Sequence, residues 1–323
     1  MNNKIKKNVT SFLLLVAFTA AGLFFAENTI KRIMANNSNH SEIMAKSGLK
    51  QSIKLLFIGD MMFDRYIRQV QEKKGGDFIF IGVKKLLSDS DLTIGNLEGP
   101  ITNNPSRSVD TELSSKDNLV FTFDPKFTQI LAGENIKLVN IGNNHIYNFG
   151  ESGLEKTRKY LDDSGIKFFG DPEDESTRMI LDNIKGTNIA FINFNQFVSS
   201  GEQKTLADIK KAKNAKVDLI IVYAHWGTEF AAEPSDKMKN LAHEFVDSGA
   251  DLIIGSHPHV VQSKEEYKDK TIYYSLGNFV FDQYFDPDTQ KGLAVLVKID
   301  SESRMQFEEV YVKMKNNGQT IQE

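Results

Sequence analysis

The chain has 323 residues, 40% of them hydrophobic, which is enough for one well-buried domain with additional segments. It contains no cysteine, which excludes a disulfide framework, an iron–sulfur cluster and a cysteine-based zinc site. The formal net charge is −4, and residues 1–50 contribute +5, so the remaining residues carry −9, which argues against nucleic acid as a partner.

The N-terminus has the pattern of a membrane anchor. Three lysines within residues 1–8 precede an uncharged apolar stretch at residues 9–26. Its length is at the lower limit of a membrane span, which needs about 17 to 25 residues, and exceeds the usual core of a signal peptide, about 7 to 15 residues. We therefore predict a cytoplasmic basic tail, a transmembrane anchor and an exported remainder. A cleaved signal peptide, cut near Thr19-Ala20-Ala21, is the alternative.

After the anchor, residues 27–52 are rich in Asn, Ser, Lys and Ala, which predicts a linker. Residues 53–323 then alternate strand-like and helix-like patterns, which predicts a single α/β domain. Together these segments describe a single-pass protein of the cell membrane, attached through residues 9–26, with its C-terminal domain outside the cell.

Short apolar runs bounded by glycine predict buried parallel strands. Five such runs are Ile53–Ile58, Asp91–Ile94, Ile136–Ile141, Val217–Tyr223 and Asp251–Ile254. Helical spacing of apolar residues predicts helices over Glu151–Ser164 and Ser235–Ser248. A hairpin over Arg178–Ile184 and Thr187–Phe194, and strands over Thr271–Ser275, Gly292–Ile299 and Phe307–Lys313, complete the pattern. We expect mixed parallel and antiparallel sheets, two of them packed face to face, with flanking helices.

Each of the five parallel strands is followed by polar residues suited to metal or acid–base chemistry. The segments are Gly59-Asp60, Asn96-Leu97-Glu98, Asn143-Asn144-His145, Ala224-His225 and His257-Pro258-His259. Four of the six histidines of the chain lie in them. Open α/β sheets bind ligands at the carboxyl ends of their strands, so we expect these side chains to gather at one edge of one sheet.

His257 and His259 are the strongest pair. Pro258 fixes its own φ and favours an extended conformation for His257, and in an extended segment residues i and i+2 point the same way. Both imidazoles can therefore converge on one ion. Imidazole, carboxylate and amide oxygen suit zinc, manganese or iron(II), and the sequence leaves the choice of metal open.

Several of these residues also have simpler interpretations. Asp60 is placed where it could cap the following helix, and Glu98 where it could be a solvated turn residue. One of the two asparagines at positions 143 and 144 is expected to satisfy turn backbone. Arg65 is either a surface salt bridge or an anion clamp, and Asn278 either stabilises its own loop or has a minor place in the site.

The motifs occur in an order that resembles a known family. They are Gly59-Asp60-Met61-Met62 with Arg65, Asn96-Leu97-Glu98-Gly99-Pro100, Asn143-Asn144-His145, His225-Trp226-Gly227, Gly255-Ser256-His257-Pro258-His259 and Ser275-Leu276-Gly277-Asn278. This series, over about residues 53–285, resembles that of the CapA (PgsA-like) poly-γ-glutamate capsule synthesis proteins. That family is similar to calcineurin-like metallophosphoesterases, which implies a four-layer α/β/β/α sandwich with a dinuclear metal site.

The resemblance also implies roles for individual residues. It implies metal ligands at Asp60 and His259 for a first ion, at Asn144, His225 and His257 for a second, and at Glu98 as the bridge between them. His145 resembles the general acid that protonates the leaving oxygen, and Arg65 is the candidate anion clamp. The sequence departs from the family pattern twice, because Met62 stands where a histidine is usual and Asn148 where an aspartate is usual.

Two functions of different classes follow. The first is a metal-dependent hydrolase of capsule metabolism, with one or two divalent ions (Mn, Zn or Fe) and an anionic polymer as substrate, or a phosphoesterase acting on another cell-envelope substrate. The second is a non-catalytic accessory subunit that works with other membrane subunits of a polymer-synthesis complex. The missing histidine at Met62 favours the second, and the four histidines at strand ends favour the first.

Overall fold

The computed structural model describes residues 50–323, and the predicted basic tail, membrane anchor and nearly all of the linker lie outside the described residues. Ser52–Glu323 form one compact unit. Within residues 50–323, no helix combines the length and the apolar character that a bilayer span requires.

Fourteen strands occur among the described residues. They are β1 (Ile53–Met61), β2 (Leu92–Leu97), β3 (Ile136–Asn140), β4 (Lys167–Phe169), β5 (Met179–Ile184), β6 (Thr187–Asn195), β7 (Leu219–His225), β8 (Leu252–Ser256), β9 (Lys264–Tyr267), β10 (Lys270–Tyr273), β11 (Asn278–Val280), β12 (Lys291–Ile299), β13 (Met305–Met314) and β14 (Thr320–Gln322). The first sheet has the order β14-β13-β12-β1-β2-β3-β4, with β11 also paired to β1. The second has the order β5-β6-β7-β8-β10-β9.

Seven α-helices connect these strands in the described part of the chain. They are α1 (Arg65–Lys74), α2 (Asp77–Phe80), α3 (Lys84–Ser88), α4 (Lys126–Gly133), α5 (Gly150–Asp163), α6 (Gly201–Asn214) and α7 (Asp236–Ser248), with a 3₁₀ turn at Lys116–Leu119. Strands β1 to β4 are mutually parallel, as are β6, β7, β8 and β10. The parallel strands of each sheet therefore end on the same side of that sheet.

The two sheets pack face to face through alternate residues of their strands. In β1, Leu55 and Phe57 belong to the apolar layer between the sheets, together with Ile221 and Ile254 of the second sheet. Leu56, also in β1, points to the opposite face, as the two-residue period of a strand requires.

Helices cover the outer face of each sheet. The outer layer of the first sheet includes Phe127 of α4 and Leu154 of α5. The outer layer of the second sheet includes Ile209 of α6 and Phe245 of α7. The predicted mixed α/β fold with two face-to-face sheets is confirmed, and so is the β5–β6 hairpin, in which Ile184 pairs with Thr187.

One simpler interpretation of the sequence is wrong. Asp60 does not cap the next helix, because it lies inside β1, which continues to Met61. The N-cap of α1 is Asp64, whose side chain accepts a hydrogen bond from the backbone N–H of Arg65. The carboxylate of Asp60 is therefore available for other contacts.

Candidate metal centre

The predicted site residues meet where parallel strands of both sheets end. Asp60 lies in β1 and Glu98 directly follows β2, whereas His225 ends β7 and His257 directly follows β8. The backbone N–H of His257 donates a hydrogen bond to Asp60 Oδ2 at 3.0 Å and so links the two sheets. The expectation that these groups line one edge of one sheet was wrong, because each sheet supplies part of the site.

Asp60, Glu98 and His259 form a first group of possible metal ligands, with their donor atoms within 4.8 Å of one another. His259 Nδ1 lies 3.4 Å from Asp60 Oδ2, and His259 Nε2 lies 3.4 Å from Glu98 Oε1. All three residues are buried, with His259 the most exposed at 2%. The first group thus offers two carboxylates and one imidazole.

A second group shares Glu98 with the first. Glu98, His225 and His257 also have their donor atoms within 4.8 Å of one another. The rings of His225 and His257 lie 4.7 Å apart between centroids, and Asn144 Oδ1 lies 2.9 Å from His225 Nε2. Glu98 is therefore common to two adjacent ligand groups.

Several buried polar atoms of these side chains have no hydrogen-bond partner among the described residues, which is what a cation site would require. Both carboxylate oxygens of Glu98 and the Nδ1 atom of His257 are buried without a hydrogen-bond partner among the described residues. A buried polar group without a partner costs about 1 to 3 kcal/mol, and more when it is charged. A divalent ion among these oxygen and nitrogen donors removes that cost, and manganese, zinc and iron(II) all accept such donors.

The pKa values of the four groups follow from their surroundings. Burial raises the pKa of Glu98 well above its usual value, and the nearby Asp60 carboxylate adds to the effect. Burial alone would lower the pKa of His259, but the carboxylates of Glu98 and Asp60 raise it to about 9. Burial lowers the pKa of His257 to about 4 and that of His225 well below its usual value. His225 and His257 are therefore neutral at pH 7, the form that binds metals.

Asn278 orients one of the ligand candidates. Its Nδ2 donates hydrogen bonds to Gln283 Oε1 at 3.0 Å and to the Thr289 carbonyl at 2.9 Å. Its Oδ1 is thereby left to accept from His259 Nδ1 at 3.0 Å, which directs Nε2 of that ring towards Glu98. Asn278 thus serves both its own loop and the site.

A row of buried asparagine side chains supports Asp60. Asn193 of β6 donates to Asn140 of β3, which donates to Asn96 of β2, which donates to Asp60 Oδ1 at 2.8 Å. This row was not predicted from the sequence. The only feature of the sequence that pointed to it was a polar residue near the end of each apolar strand. That feature does not distinguish a metal ligand from a residue that orients a ligand.

The neighbouring loop resolves the role of one asparagine. Asn143 donates to the Leu97 carbonyl at 2.8 Å and accepts from the backbone N–H of His145 at 3.1 Å. It is therefore the member of the pair that satisfies turn backbone. Asn144, by contrast, faces His225.

His145 lies beside the ligand groups. Its Nε2 is 3.9 Å from Glu98 Oε1, and its ring lies 4.4 Å from that of Phe121 between centroids. Burial lowers the pKa of His145 to about 4, although its hydrogen bond to Asn148 acts in the opposite direction. The imidazole is therefore neutral at pH 7, and its predicted role as a general acid requires a proton from elsewhere in the site.

Arg65 is not the surface salt bridge that one interpretation expected. It is 6% exposed and forms an ion pair with the buried carboxylate of Asp282. Its Nη1 donates to Asn118 Oδ1 at 2.8 Å, and its guanidinium lies 5.1 Å from the centre of the Phe121 ring, the same ring that contacts His145. Its Nε is buried without a partner among the described residues. Arg65 thus places a positive charge on the His145 side of the site.

The backbone of the histidine pair differs from the prediction. His257 has φ of 95° and His259 has φ of 59°, so neither is extended. Such values are uncommon outside glycine and occur often at functional sites. The His257 N–H bond to Asp60 and the bond from the Phe230 N–H to the Pro258 carbonyl, at 2.8 Å, hold the turn in place. The two rings still approach to 6.0 Å between centroids, through the turn and not through an extended strand.

The unusual residue at position 62 is not a replacement ligand. Met62 is fully buried, and its sulfur accepts a hydrogen bond from the backbone N–H of Asp64 at 3.0 Å. Glu229 was not among the predicted site residues, but its carboxylate lies within 4.8 Å of donor atoms of His257 and His259. Its only signal was its position two residues after the His225-Trp226-Gly227 motif.

The sequence is similar to those of a known protein family. The family model described as "Bacterial capsule synthesis protein PGA_cap" matches residues 54–283, which include every predicted site residue. "Capsule biosynthesis protein CapA" of Bacillus anthracis is 31% identical over an alignment of 257 residues, and the match covers 72% of this chain and 61% of that protein. "PGA biosynthesis protein CapA" of Bacillus subtilis (strain 168) is 32% identical over an alignment of 247 residues, and the match covers 70% of this chain and 63% of that protein. The matches thus span less than two thirds of either relative.

The fold also occurs in a solved structure. The crystal structure of a hypothetical protein from Thermus thermophilus superposes with a TM-score of 0.54 and 12% sequence identity, covering 81% of this chain and 99% of that one. At this identity the similarity shows the fold alone.

Proposed function

The chain belongs to the bacterial capsule synthesis protein family, and from this membership we propose that it is a metal-dependent hydrolase of capsular poly-γ-glutamate synthesis or export. The observation that carries the hydrolase part is the pair of buried ligand groups that share Glu98, whose two oxygens have no partner among the described residues. Such a pair is the arrangement expected of a site for one or two divalent ions.

The proposed ligands fall into two sets. The first ion would be bound by Asp60 and His259. The second ion would be bound by His225, His257 and Asn144. Glu98 belongs to both sets. When bound there, a divalent ion would supply Lewis-acid chemistry, which would polarise a phosphoryl or acyl oxygen and lower the pKa of a bound water. The neutral state of His225 and His257 favours binding, because these two rings need no proton loss. The support that Asn278 gives His259 favours it as well, because that ring needs no reorientation, although its raised pKa of about 9 means that it loses a proton when it binds.

His145 and Arg65 are proposed to act on the substrate. His145 Nε2 faces the site beside Glu98 and is placed to exchange a proton with a reacting oxygen. Arg65 supplies a positive charge on the same side, and its unpartnered Nε favours an anionic group there. Both roles suit an anionic polymer or a phosphoester.

The wider architecture is proposed to be of the metallophosphoesterase type, with four layers in the order α/β/β/α. Three apolar layers, one between the sheets and one under the helices on each outer face, support this order. The proposed setting is the outer surface of the cell membrane, anchored through residues 9–26 and next to other membrane subunits of capsule synthesis. Protease added to intact cells should then degrade the domain, and complete protection until lysis would reject this orientation.

The function is tested with the purified full-length protein. After removal of metals, Mn²⁺, Zn²⁺ or Fe²⁺ is restored, and hydrolysis of poly-γ-glutamate and of a phosphoester is measured. We expect turnover of at least one substrate that depends on added metal and disappears with a chelator. Absence of turnover with every metal and both substrates would reject the hydrolase.

A specific observation favours a second candidate, a non-catalytic accessory subunit of a polymer-synthesis complex. Met62 stands where the family pattern has a histidine, and its sulfur is already bonded to the Asp64 N–H, so the first ligand group has one donor fewer. If polymer production in cells requires the chain while no turnover is detected in vitro, the accessory function is the better account.

A further inference from the structure

Glu229 is an unpaired acid at the mouth of the site. It lies on the exposed loop between β7 and α7, and it forms no hydrogen bond or ion pair with any of the described residues. Its carboxylate nevertheless lies within 4.8 Å of donor atoms of both His257 and His259. Each of these two imidazoles therefore lies close to two carboxylates, the buried one of Glu98 and the exposed one of Glu229.

The loop holds Glu229 in this position from both sides. Before it, the N–H of Gly227 donates to Gln196 Oε1 at 2.8 Å, and Gln196 Nε2 donates back to the Gly227 carbonyl at 2.7 Å. After it, the N–H of Phe230 donates to the Pro258 carbonyl at 2.8 Å, between the two histidines. The backbone on both sides of Glu229 is thus held by hydrogen bonds that do not involve its own side chain.

The distances suit a shared ion better than direct pairing. Glu229 approaches both imidazoles yet makes no hydrogen bond to either, which requires about 2.7 to 3.2 Å between heavy atoms. Two donors of one zinc-like ion, each about 2.0 to 2.2 Å from it, can be separated by about 4 Å. An exposed carboxylate here would repel an anionic polymer unless a cation neutralised it.

We propose that Glu229 is an additional ligand for the first divalent ion, which it binds from the solvent side together with His259, while His257 remains a ligand of the second. The first ligand group contains only Asp60, Glu98 and His259, and Met62 does not contribute a donor. Glu229 supplies a further oxygen to that incomplete group. This inference rests on the proposed metal centre and adds a residue outside the family's motif series described above.

The test measures Mn²⁺ binding by the full-length protein, using calorimetry and electron paramagnetic resonance. Glu229→Gln keeps the size of the side chain and removes the charge, and we expect it to weaken at least one Mn²⁺ site by about 10-fold or more. Glu229→Asp keeps the charge but shortens the reach, and we expect it to weaken the same site. Glu233→Gln is the matched control, because Glu233 lies on the same loop and bonds Ser263 instead of the site. It should bind as the wild type does, and thermal melts should show that all variants fold.

The outcomes separate the two proposals. If the wild type binds Mn²⁺ and Glu229→Gln has the same affinity and spectrum, the ligand role is wrong while the metal centre stands. Wild-type affinity in Glu229→Asp together with weakened binding in Glu229→Gln would show a long-range charge effect and also overturn the ligand role. If the wild type binds no Mn²⁺, the metal centre itself fails, and this inference fails with it.

Discussion

Asn148 Oδ1 accepts a hydrogen bond from His145 Nδ1 at 3.1 Å and another from the backbone N–H of Phe121 at 2.8 Å. Because the second donor is a backbone N–H, the atom facing the ring is an oxygen, and neutral His145 carries its hydrogen on Nδ1. Asn148 thus orients His145 as an aspartate would, but it does not supply the negative charge that stabilises an imidazolium. The departure from the family pattern at this position changes the charge and keeps the geometry.

Replacing this amide by a carboxylate should change the titration of the histidine. Burial lowers the pKa of His145 to about 4, and a negative charge at Asn148→Asp favours the protonated ring, so the pKa should rise. We expect the imidazolium of His145 to persist to higher pH in the variant. NMR titration of metal-free, histidine-labelled protein measures it, with His243, which lies away from the site, as the internal control. An unchanged His145 titration would contradict the proposed electrostatics.

Local sequence patterns were enough to predict ten of the fourteen strands among the described residues and to place the ligand candidates, whereas the strands β4, β9, β11 and β14 were not predicted. Apolar runs bounded by glycine depend on neighbours in sequence, and so Asp60, Glu98 and His225 were placed correctly at or beside strand ends. The pairing of the two sheets is a long-range property. No local pattern indicated that the N–H of His257 bonds Asp60 across the sheets, or that Arg65 pairs with Asp282.

The positive φ angles of His257 and His259 were not predicted from the sequence. The preference of a residue before proline for extended structure is a local steric tendency, and at His257 tertiary hydrogen bonds override it. Glu229 was missed for a related reason, because its relation to His259 is created by the fold of a loop that carries no regular pattern.

Removing two imidazoles should empty the second ligand group. We expect the double variant His225→Ala and His257→Ala to lose at least one equivalent of bound divalent metal, because only Glu98 and the weak amide donor of Asn144 remain there. Metal analysis by mass spectrometry gives the stoichiometry. His243→Ala is the control, since that ring pairs with Glu265 away from the site, and it should retain its metal. Equal metal content in the double variant and the wild type would reject the assignment.

Asn278→Ala tests the orienting contact behind the first ligand group. Without the Asn278 amide, His259 Nδ1 loses its hydrogen-bond acceptor at 3.0 Å and keeps only Asp60 Oδ2 at 3.4 Å, so the ring is held less firmly with Nε2 towards Glu98. Loss of such a contact typically reduces metal affinity by about 10 to 100-fold. Calorimetric titration with Mn²⁺ measures the change, and a melting curve reports the separate effect of losing the bonds to Gln283 and Thr289. Wild-type affinity would show that the contact serves the loop alone.

The buried ion pair between Arg178 and Asp208, outside the site, should contribute more to stability than an exposed charge nearby. Arg178 donates to both carboxylate oxygens of Asp208, at 2.6 and 3.0 Å, and the Asp208 side chain is 1% exposed. Asp208→Ala leaves a buried guanidinium without its partner, which should lower the free energy of unfolding by about 3 to 5 kcal/mol. Glu175→Ala is the control, because its side chain is 76% exposed and 3.8 Å from Arg178, and it should change little. Urea unfolding, followed by the fluorescence of the single tryptophan, Trp226, compares them.

The final prediction separates an enzyme from a scaffold through His145. This residue faces Glu98 at 3.9 Å and belongs to neither ligand group, so His145→Ala should retain the fold and the bound metal. A histidine that exchanges a proton with the substrate contributes about 10² to 10⁴-fold to rate, whereas one that only packs against Phe121 contributes nothing to turnover.

We therefore expect His145→Ala to reduce metal-stimulated hydrolysis by at least about 100-fold at unchanged metal content. Turnover of phosphoester and poly-γ-glutamate substrates, metal analysis and a melting curve are measured on the same preparation. Wild-type turnover in His145→Ala would remove this residue from the mechanism. If the metal-loaded wild type turns over neither substrate, and cells carrying His145→Ala still produce polymer, the site has no catalytic role in capsule formation and the accessory function explains the chain.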